Sequence, residues 1–319
     1  MRPPFQSDSL TDTEKSSLSE ALAEVVNESA EGDPISENYD ELVKKLGSDL
    51  CHRAGIYVMP NTFKLSVVIP IYNEVKTLEE VVRKVRSIGL NLEMVLVDDG
   101  STDGTRELLE RMQQDADLKI VFHEENKGKG AAVRTGFQEA TGDVIVIQDA
   151  DLEYDPNEFR YLLQPIIEDR ADIVYGSRFQ IKEKAESPAW HMAVNGFITW
   201  LCNLVTRLRF TDVETCYKLF RRSLIQEIAP GLKENRFGIE IEMTAKLARR
   251  SKQNGTRFFE RPFSYQRRSY EEGNKIRWYH GVSVLCCFFS WPVRVISTYA
   301  EIPGFKRCLI AHKVMRSPP

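Results

Sequence analysis

Asp149 and Asp151 stand two residues apart, directly after the apolar run Val144-Ile145-Val146-Ile147. Carboxylates just past a buried-strand pattern point out of a sheet edge. They offer hard oxygen ligands of the kind that suit Mg²⁺ or Mn²⁺. Such an ion grips a diphosphate, so the pairing predicts an enzyme that handles an activated, nucleotide-linked substrate. Alternation along an extended segment places Glu153 on the same side as the two aspartates and predicts a three-carboxylate site. A lone Asp-x-Asp is common in surface loops, but one fixed to the end of a buried strand carries more weight.

Three other stretches hold residue types that could do chemistry. Pro70-Ile71-Tyr72-Asn73-Glu74 closes an apolar run and could wrap a nucleoside, or could be a strand-to-helix turn with Asn73 as its N-cap. Asp98-Asp99-Gly100-Ser101-Thr102-Asp103-Gly104-Thr105 follows the next run. Its carboxylates could accept hydrogen bonds from a base or a ribose, or could cap the helix that follows. Two adjacent like charges are costly in a simple turn, which shifts the reading of Asp98 and Asp99 toward a ligand. Asn126-Lys127-Gly128-Lys129-Gly130 precedes a helical pattern and could cradle phosphate, with Lys129 reaching it. A solvated turn fits as well, and the P-loop spacing is absent.

These stretches need a scaffold, and the apolar pattern supplies one. Strands are expected at Leu65 to Ile71, Met94 to Val97, Leu118 to Phe122, Val144 to Ile147 and Asp172 to Tyr175. Helices are expected between them at Thr77 to Ile88, Thr105 to Met112, Gly130 to Ala140 and Pro156 to Glu168. Strands alternating with helices predict an α/β fold, a mostly parallel sheet covered on both faces. Ligands of such sheets bind outside the carboxyl ends of the strands, where Asp98, Asp99, Asp149 and Asp151 all fall. The second half predicts helices at Ala193 to Leu208 and Glu240 to Arg250, and a late strand within Arg257 to Tyr265.

In order, Pro-x-Tyr-Asn-Glu, Asp-Asp-Gly-Ser-x-Asp-Gly-Thr, Asn-x-Gly-Lys-Gly and Asp-Ala-Asp resemble the inverting GT-A glycosyltransferases of family 2. The branch most resembled is that of the dolichol-phosphate mannose synthases and other polyprenyl-phosphate glycosyltransferases. Tyr175 to Phe179, Glu214 to Arg221, Phe237 to Glu242 and Tyr265 to Ile276 extend the resemblance, which covers about Leu65 to Trp278. It implies a Rossmann-like GT-A domain over residues 63–270. It implies that Pro70, Tyr72, Glu74, Asp98 and Asp99 contact base and ribose, and that Asp149, Asp151 and Glu153 hold Mg²⁺ or Mn²⁺ with the diphosphate. Arg178 matches a basic residue near an acceptor phosphate, and Arg268 and Lys275 match a basic loop that closes over the donor. Glu153 stands where Gln is common in the mannose synthases, and His191 to Asn195 replaces an Arg-rich stretch.

The activity so implied is inverting transfer of a hexose from a nucleotide-diphospho-sugar, GDP-mannose or a UDP-sugar, to a polyprenyl or dolichyl phosphate. An anionic phosphate needs no general base. A glycan hydroxyl, the alternative acceptor, needs one, and Asp212, Glu214, Glu240 and Glu242 are the candidates. Glu240 and Glu242 could instead simply begin a helix. A sugar-1-phosphate nucleotidyltransferase is the rival enzyme, but Tyr72-Asn73-Glu74 stands where its Gly-rich basic loop belongs. A non-catalytic nucleotide-sugar binder is the rival without chemistry.

Composition bounds the partners and place. The 319 residues carry a net charge of −4 that hides an uneven distribution. Residues 1–60 hold 12 Asp/Glu against 5 Lys/Arg, whereas residues 246–319 hold 4 against 15. Residues 1–62 read as an acidic, partly disordered arm with helical pieces at Leu18 to Val26 and Tyr39 to Leu46. Residues 271–319 read as a basic, aromatic helical extension that could lie on a membrane interface or in an oligomer contact. Arg249-Arg250 and Arg267-Arg268 are short pairs with no recognised module, so nucleic acid is not an expected partner. Six scattered cysteines without Cys-x-x-Cys argue against zinc and fit a reducing compartment. No apolar leader and no run of about 20 apolar residues is seen. The expectation is a cytoplasmic protein, peripheral on the membrane if the extension touches lipid.

Overall fold

β-branched residues crowd the pleat of a strand and lose little by being extended, and runs of them in this chain form the centre of one sheet. The computed structural model of the protein describes residues 11–28, 34–179 and 189–265. The strands are β1 (Leu65–Ile71), β2 (Leu92–Asp98), β3 (Leu118–Phe122), β4 (Val144–Ile147), β5 (Ile173–Ser177), β6 (Lys218–Arg221) and β7 (Phe258–Pro262). Their order is β3-β2-β1-β4-β6-β5-β7, all parallel except β6, which runs antiparallel to both β4 and β5. In register, Ile71 lies beside Asp98, Asp98 beside Phe122 and Val68 beside Ile147. The carboxyl ends of the parallel strands therefore share one edge. β6, reversed, contributes its first residue, Lys218, to that same edge.

The helices are α1 (Asp12–Glu28), α2 (Pro34–Glu37), α3 (Tyr39–Leu46), α4 (Ser48–Arg53), α5 (Leu78–Arg86), α6 (Thr105–Met112), α7 (Lys129–Glu139), α8 (Phe159–Ile167), α9 (Ala189–Thr206), α10 (Arg222–Ile228) and α11 (Ile239–Asn254). Helical spacing in α5 buries Leu78, Val81, Val82 and Val85 in one stripe, with Glu79 and Glu80 in its first turn and Arg83, Lys84 and Arg86 in its last. The main core joins the sheet to α5 through α11. A second, smaller core holds Ala21, Leu42, Cys51 and Ile56 of the N-terminal region. That region is tied to α8: the Tyr57 hydroxyl donates to the Arg160 carbonyl at 2.9 Å, and Arg160 donates to the Tyr57 carbonyl at 2.8 Å.

The β1 to β5 pattern and the intervening helices stand where the sequence places them, within a few residues. β6 was not anticipated. It is four residues long and contains a lysine, so it shows no strand pattern. The expected strand within Arg257 to Tyr265 forms over Phe258–Pro262. The C-terminal extension, with Arg268 and Lys275, lies outside the described residues. No helix among the described residues is long and apolar enough to cross a membrane. Nevertheless α9 buries Ile198 and Cys202 while exposing Met192, Val194, Phe197, Trp200 and Leu204, and the Phe197 and Trp200 rings stack at 5.8 Å.

One glycine sets how closely α7 approaches the sheet. A Cβ at Gly136 would fall on the Val68 side chain in the middle of β1, with no room for either to yield without moving backbone. Gly136→Ala is expected to lower the unfolding free energy by about 1–3 kcal/mol despite alanine's better helix propensity. Denaturant titration of the two proteins checks this, and an unchanged midpoint would contradict it.

Candidate active site

Asp98 ends β2 and is fully buried. Its Oδ1 accepts the Ser101 amide at 3.2 Å, while its Oδ2 has no hydrogen-bond partner and lies 3.6 Å from the Arg106 guanidinium. A buried carboxylate oxygen without a hydrogen bond is costly, and here the Arg106 charge offsets part of that cost. Asp99 is used differently. Its Oδ1 takes the Lys127 amide at 3.0 Å and His123 Nδ1 at 2.8 Å, and its Oδ2 takes the Gly128 amide at 2.7 Å. Thus Asp99 builds the loop before α7, and only Asp98 of the doublet keeps an acceptor open.

The β1 loop is sewn to the β2 loop. Asn73 takes left-handed backbone, φ 54°, donates its amide to Ser101 Oγ and accepts the Thr102 amide at 2.8 Å. It is therefore a bridge between loops and not the N-cap of α5, a position held by Thr77. The Glu74 amide bonds Thr105 Oγ1 at 3.0 Å. Tyr72 is exposed at the edge, and Pro70 lies within β1, paired with Val97. Thr77 Oγ1 reaches across to the Ala150 carbonyl at 2.7 Å and so ties this pair of loops to the Asp149–Asp151 turn.

The extended run expected over Asp149 to Glu153 does not form. The chain turns at Ala150 and Asp151, and Leu152 has φ 62°. Asp151 Oδ1 accepts the Glu153 amide at 3.1 Å, and the Glu153 side chain accepts the Tyr265 hydroxyl at 2.6 Å. The three-carboxylate site read from alternation is corrected accordingly. Among the described residues no group of three His, Cys, Asp or Glu is arranged to hold a metal ion. Asp149 and Asp151 remain, and the chemistry of this donor set still fits Mg²⁺ or Mn²⁺, which take one or two carboxylates and complete their sphere with substrate phosphate and water.

Lys129, the first residue of α7, points to Asp149: its Nζ lies 2.8 Å from Oδ1 and 3.9 Å from Glu240 Oε1. Burial works against its charge, yet the surrounding anionic groups, Asp149 foremost, hold its pKa well above the usual lysine range. Glu240 in turn binds the fully buried Lys218 at 2.5 Å. Gln148 fixes the backbone of the turn, donating to the Asp149 carbonyl and accepting the Tyr217 hydroxyl. Sequence reasoning gave no role to Lys218 or Gln148, although both lie in or beside stretches it singled out. The signal for Lys218 was a lysine inside Cys-Tyr-Lys-Leu-Phe, a charge in an apolar run that needs a partner.

The residues that the sequence names for an acceptor are mostly committed to protein partners. Arg178 makes a two-pronged ion pair with Asp212, at 2.7 and 2.8 Å, and lies over the Tyr265 ring. Asn195 of α9 also donates to Asp212. Burial opposes the Asp212 charge, but Arg178 keeps its carboxyl below the usual range. Glu242 accepts the amides of Lys233 and Glu234, both at 2.8 Å. Of the four base candidates, Glu214 alone keeps a buried carboxylate oxygen, Oε1, with no partner. Burial, reinforced by Glu240 and offset by Lys218 and Arg178, pushes the Glu214 carboxyl up to about 7.

Comparison with known proteins follows the same outline. The family model for glycosyl transferase family 2 matches residues 66–229, from β1 through α10. A dolichol-phosphate mannosyltransferase from Pyrococcus furiosus is 32% identical over 182 residues, 56% of this chain and 51% of its own. An undecaprenyl-phosphate 4-deoxy-4-formamido-L-arabinose transferase from Salmonella paratyphi B is 27% identical over 246 residues, 75% of this chain and 72% of its own. This chain thus spans about half the length of the first relative and nearly three quarters of the second. In fold it is similar to a glucosyl-3-phosphoglycerate synthase from Mycobacterium tuberculosis solved with Mn²⁺, UDP and phosphoglyceric acid. The TM-score is 0.51 at 20% identity, covering 72% of this chain and 78% of the other.

Glu214 gives a pH test. A carboxyl whose pKa rises on folding favours the folded state while neutral, and that stability is lost as pH climbs from about 4.5 to about 7. Glu214→Gln removes the titration. The stability of the variant relative to its parent is expected to rise over that window by an amount on the order of 3 kcal/mol. Glu260, also pushed up to about 7, titrates in both proteins, so the difference between them isolates Glu214. Urea unfolding at both ends of the window measures it, and a pH-independent difference would count against the assignment.

Proposed function

This chain belongs to glycosyl transferase family 2, and on that premise we propose that it transfers a hexose, with inversion, from a nucleotide-diphospho-sugar to a polyprenyl or dolichyl phosphate. The donor is GDP-mannose or a UDP-sugar. The observation that carries the reading is the strand-end edge itself: an open Asp98 oxygen for the base side and Asp149 with Asp151 for the diphosphate side, joined through Thr77. The named activities of the two relatives, both transferases acting with polyprenyl-type phosphates, support the acceptor class.

Each residue then has a task. Asp98 with Pro70, Tyr72 and Glu74 receives the nucleoside, while Asp99 holds the loop that presents Lys129. Asp149 and Asp151 would hold Mg²⁺ or Mn²⁺, which when bound would neutralise charge on the departing diphosphate. Arg178 lines the acceptor side, oriented by Asp212 and Asn195, and draws a phosphate there. Arg268 and Lys275 close over the donor. A phosphate oxygen attacks the anomeric carbon from the face opposite the diphosphate, the bond to the diphosphate breaks, and no proton need be removed. The apolar face of α9, with Phe197 and Trp200, rests against the lipid surface that carries the acceptor, which makes the protein a peripheral one on the cytoplasmic face. Residues 1–62, 63–270 and 271–319 serve as arm, catalytic domain and basic extension.

Glu214 supports a second reading. A partly buried carboxylate with an open oxygen and a pKa near 7 suits a general base, which a glycan hydroxyl as acceptor requires.

Labelled GDP-mannose, UDP-glucose and UDP-N-acetylglucosamine, each offered with vesicles containing polyprenyl phosphate and Mg²⁺ or Mn²⁺, decide between the readings. Label is expected in the organic phase for one donor. Asp149→Asn is expected to lower the rate by about 100-fold or more, and a chelator to abolish it. Label that stays water-soluble with every donor rejects the lipid acceptor.

A further inference from the structure

Asp149 already serves one cation. Its Oδ1 already bonds the Lys129 ammonium at 2.8 Å, and both side chains are about 20% exposed, so water screens the pair only in part. A divalent ion on the same carboxylate would sit within a few ångströms of a positive ammonium. The two positive charges repel across the shared carboxylate, and Lys129, on a flexible four-carbon stem, is the one that can swing away.

Its alternatives are few. Glu240, 3.9 Å away, is already bound by Lys218. Lys129 is the first residue of α7, whose Ala131 amide is already taken by the Asn235 carbonyl at 3.2 Å, so a diphosphate held beside Asp149 is the new anion within its reach. We infer that Lys129 is a built-in cation that occupies the Asp149 carboxylate until the donor arrives, keeping the divalent metal off the empty enzyme and passing to the donor's diphosphate when metal and nucleotide enter together. The inference rests on the metal site proposed above. Its consequence is selectivity in loading: free metal alone meets a competitor within the chain, whereas metal accompanied by a diphosphate brings a new partner for the displaced ammonium.

The test is Mn²⁺ binding to the full chain without any nucleotide, followed by the loss of the free Mn²⁺ spin-resonance signal. Lys129→Met and Lys129→Gln are expected to bind Mn²⁺ at least about tenfold more tightly than the parent, a gain worth about 1.4 kcal/mol. Lys129→Arg, which keeps the charge, is expected to stay within a few-fold of the parent. Adding Asp149→Asn to Lys129→Gln is expected to remove the gain. Two neutral variants guard against one that folds poorly, and a melting curve identifies it. Equal Mn²⁺ affinity in the parent and both neutral variants, abolished by Asp149→Asn, overturns the inference and leaves the metal site standing. No Mn²⁺ bound by any of the proteins, even with GDP or UDP present, overturns the metal site and the inference with it.

Discussion

Lys218 is a fully buried ammonium, and the arrangement beneath the strand-end edge depends on neutralising it. Moving such a group out of water costs several kcal/mol unless a partner and hydrogen bonds compensate. Here Glu240 and the Thr215 carbonyl do so, with the Tyr175 ring beneath. Glu240 then faces Lys129, and Lys129 faces Asp149, so charges alternate in sign from the core of the sheet to its edge. Losing any one member strands a neighbour, at a cost of roughly 3–5 kcal/mol for a buried pair. The chain of charges joins β6, α11, α7 and the end of β4, four elements that come from widely separated stretches of sequence. It explains why a lysine sits in a short inner strand.

The two aspartate pairs at the edge are both partly absorbed by the protein itself. In the first, Asp99 is occupied by two backbone amides and His123 while Asp98 keeps an oxygen open. In the second, Asp149 is held by Lys129 while Asp151 braces its own turn through the Glu153 amide. Adjacent like charges are tolerated because half of each pair is absorbed by local donors. The repulsion between Asp98 and Asp99 that favoured a ligand for both is relieved in part by protein groups.

Much of the frame was legible in the sequence because its signals are local. The β1, β3 and β4 runs are apolar and β-branched, the helices keep their spacing, and the acidic residues follow strand ends. What was not legible depends on partners remote in sequence or on a single backbone angle. β6 is too short to show a period, and its reversed direction follows from where β4 and β5 already lie. Glu153 was placed by assuming extended backbone, and the positive φ of Leu152 turned it away toward Tyr265. The engagement of Arg178 with Asp212 and of Lys129 with Asp149 is tertiary, since nothing near either residue in sequence announces its mate. Asp149, Asp151, Asp98 and Lys129 were therefore named from the sequence, while the bonds they make are seen only in space.

The reversed strand has a consequence for inheritance. Because β6 enters the sheet from the opposite direction, residues 211–217 run along the same edge as the ends of β1, β2 and β4, although they come from the other half of the chain. The wall assigned to the donor is written in residues 65–151, and the wall assigned to the acceptor in residues 178–242. The seam between them is broad: β4 pairs with β6, Gln226 donates to the Phe137 and Ala140 carbonyls, Arg134 reaches the Glu234 carbonyl and Asn235, and the Tyr217 hydroxyl donates to Gln148. A substitution on one wall is therefore felt across the sheet by the other, and the two walls are bound to drift together, each change on one side constraining what the other can accept.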